Sequence, residues 1–64
     1  MDEFFAENKV DETGAHIVHT AECASLPAKE ELRWIGVRSN TAAPLKETEN
    51  WFGKSAPCPE CMPS

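Results

Sequence analysis

The sequence predicts an α+β domain, on three observations. Residues 4–8 and 15–19 carry aromatic or β-branched side chains and flank a polar segment ending in Gly14, the pattern of a β-hairpin. Residues 32–39 hold Trp34, Ile35 and Val37, side chains that suit a pleated, half-buried surface. One run at helical spacing, Leu45, Thr48 and Phe52, is closed by Gly53. With 64 residues and no repeat, low-complexity tract or linker, the chain reads as one small domain over 1–64.

In the second hairpin strand, Ala15, Ile17 and His19 share one face and His16 and Val18 the other. The middle of the chain admits two readings. Residues 27–35 suit a helix, with Ser25 or Leu26 near its cap, Pro27 early, Glu30 and Glu31 in the first turns and Gly36 at the end. Residues 32–39 suit a strand. Apolar groups at 32, 34, 35 and 37 do not keep to a helical stripe, which favours the strand. Farther on, Thr41 can cap a helix that tolerates Pro44 in its first turn, where the missing N–H costs little. Leu45, Thr48 and Phe52 then face inward, Glu47, Glu49 and Asn50 face out, and Lys54 lies near the negative end of the helix dipole. Residues 55–64 are Pro-rich and read as a loop. The expected core is Phe4 or Phe5, Ile17, Val18, Trp34, Ile35, Leu45 and Phe52. Trp51 adjoins Phe52 and the two cannot both face inward fully, so one of them either covers a sheet edge or forms an exposed aromatic contact surface.

Below about 70–80 residues a single core seldom supplies more than about 3–5 kcal/mol, so a chain of this length calls for a staple. Cys58-Pro59-Glu60-Cys61 places two thiols at the spacing with which a tight turn aims both sulfurs at one metal. His19 and Cys23, with three residues between them, offer the complementary pair. A Cys₃His set of His19, Cys23, Cys58 and Cys61 uses all three cysteines, which no disulfide scheme does. Its thiolate character favours one Zn²⁺ over magnesium or calcium. His16 is the rival for the fourth position. His19 is preferred because it is nearer Cys23 and shares the face of Ile17, expected to point inward; His16 then falls at the surface or behind the ligands. The bland alternative makes Cys23 a small buried hydrophobe and the terminal pair free thiols or a local disulfide.

Phe4-Phe5-x-x-Asn8, then Gly14-x-His16-x-Val18-His19-x₃-Cys23-x-x-Leu26-Pro27, then Ile35-Gly36, a short helix and Cys58-x-x-Cys61 together resemble a group of small, mostly uncharacterised bacterial zinc-binding-like proteins. The shared pattern is G-x-H-x-V-H-x₃-C-x-x-L-P followed by a closing C-x-x-C. It spans nearly the whole chain and is specific at the H-x₃-C and C-x-x-C positions. The resemblance implies a three-stranded antiparallel sheet with one packed helix, and it supports the strand over residues 32–39. Pro44 and Thr48 depart from it, standing where the group is Ala-rich. No activity comes with it.

Eleven acidic side chains against six Lys and Arg give a net charge of −5. Nucleic-acid binders draw most of their affinity from phosphate neutralisation by a basic stripe. Here the cations are scattered, so a neutral or basic partner protein fits better than nucleic acid or an anionic membrane. No apolar run approaches the roughly 20 residues of a membrane span, and the acidic start does not resemble a secretory signal. With the odd cysteine count, this points to the cytoplasm. Two enzymatic readings find little support. Pro57-Cys58-Pro59-Glu60-Cys61 matches half of the zinc nucleobase deaminase signature, but Glu22 stands three residues after His19 where H-x-E is required, and Cys23 fills the place of the reactive water. A redox C-x-x-C normally opens a helix, and only Met62-Pro63-Ser64 follow here. Four protein ligands leave no open position, so the metal is expected to be structural. A monomeric interaction or adaptor module is the leading reading. Nucleic-acid binding, and thiol redox or metal handling through Cys58 and Cys61, are the alternatives.

Overall fold

The computed structural model describes residues 2–24 and 26–61. Strands β1 (Asp2–Val10) and β2 (His16–Thr20) form the expected antiparallel hairpin. Its turn is organised by Asp11, whose Oδ1 accepts the Thr13 N–H at 2.8 Å, the Thr13 hydroxyl at 2.7 Å and the Ala15 N–H at 3.0 Å. The carboxyl is held below its ordinary range by the Thr13 hydroxyl first and the Ala15 N–H next. The pairing is irregular in one place. Between Ala6↔Val18 and Val10↔His16, β1 advances four residues while β2 advances two, so β1 bulges around Glu7.

Strand β3 (Leu32–Arg38) pairs antiparallel with the other side of β1. The strand reading is the one that forms; of the helical alternative there is a single 3₁₀ turn at Lys29–Glu31. Ser25, a candidate cap, lies outside the described residues. A second bulge decides the faces of β3. Phe4 is opposite Gly36 and Phe5 is opposite Trp34, leaving Ile35 without an opposite residue. Alternation therefore slips by one, so that Ile35 and Gly36 are both buried while Trp34 and Val37 are 61% and 50% exposed. Trp34 is not a core residue, contrary to expectation, because the bulge turns it onto the face of Phe5 and away from the helix.

Helix α1 (Ala42–Phe52) lies on the opposite face. Thr41 makes no side-chain cap bond; the Ala43 N–H is instead satisfied by Asn40 Oδ1 at 2.8 Å. Pro44 and Thr48 are buried, and the Thr48 hydroxyl donates to the Pro44 carbonyl at 2.8 Å. Gly53 closes the helix at φ 97°, its N–H returning to the Glu49 carbonyl at 2.7 Å. Glu47, expected outside, is half-buried against Arg38, with Oε2 at 2.6 Å from Nε and Oε1 at 2.7 Å from an Nη.

The tail corrects the expected topology. Residues 55–57 are not loop but a short strand, β4 (Ser55–Pro57), parallel to β2 with His16↔Ser55, Ile17↔Ala56 and Val18↔Pro57 in register. The sheet is four-stranded and mixed, in the order β3-β1-β2-β4, rather than three-stranded and antiparallel. Pro57 is tolerated because it sits at the end of an edge strand, where a missing N–H leaves no ladder position empty. Residues 62–64, the far end of the predicted loop, lie outside the described residues.

The core is Phe4, Ala6, Val18 and Ile35, capped by half-buried Leu45, Phe52 and Cys61. Phe4 rather than Phe5 is the buried member of its pair, and Val18 rather than Ile17 carries the inward face of β2. Trp51 stays 39% exposed, with the Arg33 guanidinium carbon 4.2 Å above its ring.

Candidate metal centre

Strand β2 delivers its last residues to a folded turn. The Cys23 N–H bonds the Thr20 carbonyl at 3.2 Å and the Ala21 N–H bonds the Glu3 carbonyl at 2.9 Å, which brings Cys23 back beside His19. The parallel β2–β4 ladder supplies the other half. The Cys58 N–H bonds the Val18 carbonyl at 3.0 Å, extending the register by one residue and setting Cys58 alongside His19. The turn after Cys58 returns Cys61 to the end of β2, where the Thr20 N–H points at its Sγ from 3.4 Å.

These two supports bring His19, Cys23, Cys58 and Cys61 together, one ligand atom from each lying within 4.8 Å of all the others. The Cys23 and Cys58 sulfurs are 3.8 Å apart, and His19 Nδ1 is 3.5 Å from Cys23 Sγ and 3.9 Å from Cys61 Sγ. All three cysteines are free thiols. His19, Cys23 and Cys58 are buried and Cys61 is half-buried. Burial pushes the Cys58 thiol up, but the N–H groups of Cys61 and Glu60 and the neighbouring Cys61 and Cys23 thiols outweigh it and lower it to about 7. The lowering favours the thiolate, which is the metal-binding form. The group can hold a metal ion.

Glu7 completes the surroundings, and sequence reasoning did not find it. His19 donates its Nε2–H to Glu7 Oε2 at 2.6 Å, which leaves Nδ1 as the lone-pair nitrogen facing the three sulfurs. A histidine ligand held by a carboxylate on its other nitrogen is the usual support of a metal site, fixing tautomer and ring orientation together. Glu7 and Phe5 share a strand face and Phe5 is the direct partner of His19, so hairpin register was the available signal. Which residue of β1 stands opposite His19 depends on the length of the turn, which the sequence alone did not fix.

His16 is outside the group. It is not a surface residue but a buried part of the packing, and it stands behind the ligand atoms only through the main chain of Glu7. Its Nδ1–H donates to the Glu7 main-chain carbonyl at 2.8 Å, and its ring stacks on Phe52 with centroids 3.9 Å apart and planes 13° from parallel. The expected ground for choosing His19 also changes: His19 shares a face with Ile17, but that face is the one away from α1. Glu22 and Glu60 are exposed. Comparisons with family models, curated proteins and solved structures return no match.

Proposed function

We propose that the chain is a structural zinc domain holding one Zn²⁺ through His19 Nδ1, Cys23, Cys58 and Cys61, and that it serves as a protein-interaction module. The observation that carries the zinc reading is the spacing of the donor atoms. Zn–S bonds of about 2.3 Å and Zn–N bonds of about 2.0–2.1 Å at tetrahedral angles require S···S edges near 3.8 Å and S···N edges near 3.6 Å. The corresponding separations here are 3.8 Å for Cys23–Cys58, 3.5 Å for His19–Cys23 and 3.9 Å for His19–Cys61. A disulfide needs its sulfurs about 2.05 Å apart and would strand the third thiol. Zinc supplies charge neutralisation for three clustered sulfurs, and the protein supplies a full set of four ligands that leaves no position for a reacting water.

That closed set supports a non-enzymatic role, since catalytic zinc keeps an open coordination site. Free thiols at the site suit a reducing compartment such as the cytoplasm. A net charge of −5 favours a monomer that meets a neutral or basic protein over one that meets nucleic acid. The test is native mass spectrometry of the purified chain before and after acid. One zinc per chain, lost together with the compact charge-state distribution, is the expected result. A metal-free chain with the same compact distribution overturns the reading.

A further inference from the structure

The bulge in β3 sorts side chains between the faces of the sheet in a way that alternation alone would not. Register places Glu3, Phe5 and Glu7 of β1 on the face away from α1, with Val37 opposite Glu3, Trp34 opposite Phe5 and Leu32 opposite Glu7. Arg33, opposite Ala6, and Arg38, opposite Asp2, go to the helix side. Both arginines are engaged there, Arg33 on the Trp51 ring and Arg38 in its two-pronged contact with Glu47. The face away from α1 thus gathers an apolar strip, exposed Trp34 and Val37 beside half-buried Phe5 and Leu32, with the carboxylates Glu3 and Glu7 along it and, at its far end, Lys9 paired with Glu31 at 3.5 Å. Glu7 is committed to His19. Glu3 holds the Trp34 ring in place, accepting its Nε1–H at 2.7 Å, and keeps a second carboxylate oxygen for a partner. A cation approaching Glu3 also meets the face of an exposed indole, the arrangement in which Lys and Arg side chains bind best.

We propose that this open face is a docking surface for an extended or amphipathic segment of a partner protein bearing Lys or Arg next to apolar residues. The cation is received by Glu3 and Trp34, and the apolar residues by Phe5, Leu32 and Val37. Charge selects the occupant. The patch is acidic, both arginines are turned to the other side, and the chain as a whole carries −5. A second copy of the chain and an anionic lipid surface are therefore both repelled. The inference rests on the interaction-module reading and names its surface. It also gives the zinc a purpose beyond stability, because Glu7 ties His19 to the strand that carries Glu3 and Phe5.

The test is selection of a displayed random-peptide library against the immobilised zinc-loaded chain, followed by NMR titration with a recovered peptide. Enrichment of Lys or Arg beside apolar residues is expected, with shifts centred on Glu3, Phe5, Trp34 and Val37. Affinity should fall at least about tenfold in Trp34→Ala and in Glu3→Lys, and should weaken with salt. Both positions are exposed, and retained zinc stoichiometry and spectral dispersion identify a folded variant. Recovered peptides that are acidic, that bind Trp34→Ala as well as wild type, or that shift only α1 overturn this surface while leaving the module reading standing. Failure to recover any peptide, or binding to phosphatidylserine vesicles instead, overturns both.

Discussion

Glu7 offers the sharpest perturbation of the candidate metal centre, because it touches the His19, Cys23, Cys58 and Cys61 group through His19. The Nε2–Oε2 distance of 2.6 Å is short for an N–H···O bond, as expected when the acceptor is charged. The His19 side chain is 4% exposed and that of Glu7 is 28% exposed, so the bond is shielded at the imidazole and partly screened at the carboxylate. Loss of such a support costs about 10–100-fold in metal affinity, equivalent to about 1.4–2.7 kcal/mol. Glu7→Gln keeps an acceptor oxygen and should fall near the lower figure. Glu7→Ala leaves a buried N–H unpaired and should fall near the upper one. Metal-binding energy is folding energy in a domain of this kind, so at fixed zinc the melting temperature should drop by about 4–8 °C per kcal/mol. His16 provides an internal control, since its bond goes to the Glu7 main-chain carbonyl and survives both substitutions. Zinc competition against a chromophoric chelator reads the affinities, and the absorption bands of the Co²⁺ form read the geometry. If both variants bind zinc within twofold of wild type, with unchanged Co²⁺ bands, the assignment of Nδ1 as ligand and Glu7 as its support fails.

The other expected outcomes follow from the same packing. Removing the metal with a strong chelator should abolish NMR dispersion cooperatively; an apo chain that retains it would refute the staple. Cys23→Ser should be nearly as damaging as Cys58→Ser, both being buried, by the ratio of zinc bound per folded chain. His16→Ala should destabilise by about 2–3 kcal/mol in denaturant titrations through lost stacking on Phe52 while leaving one zinc per chain, and altered stoichiometry would reopen the choice of histidine. Gly36→Ala should cost about 1–2 kcal/mol, because φ is +123° and a Cβ would meet an Arg38 guanidinium nitrogen at 2.9 Å. For Asp11, whose folded carboxyl is lowered, the stabilisation is present above the usual carboxylate range and is lost as pH falls through the folded value. The stability difference between wild type and Asp11→Asn, followed by chemical denaturation, should therefore shrink on acidification below pH 4, and a constant difference would contradict it.

Sequence determined those features whose cause is local. The hairpin follows from two β-prone stretches around a polar turn, and the helix from one apolar stripe bounded by Gly53. The strand over 32–38 follows from an apolar pattern that no helix face can collect. The grouping of His19, Cys23, Cys58 and Cys61 was legible for a chemical reason: a chain with little core and an odd number of thiols has few other uses for them. Tertiary structure alone decided the rest. Residues 55–57 become a strand only because β2 offers an unpaired edge, and it is that parallel register, formed across more than thirty-five residues, that lays Cys58 beside His19. Trp34 and Val37 come to share one face because the one extra residue in β3 reverses the side on which later residues emerge, and Glu7 reaches His19 because Phe5, its neighbour on the same face, is paired with His19 across the hairpin. A bulge is set by how two strands and the helix pack together, not by the propensity of the residue inside it, so side-chain period read along one strand cannot reveal where the count slips.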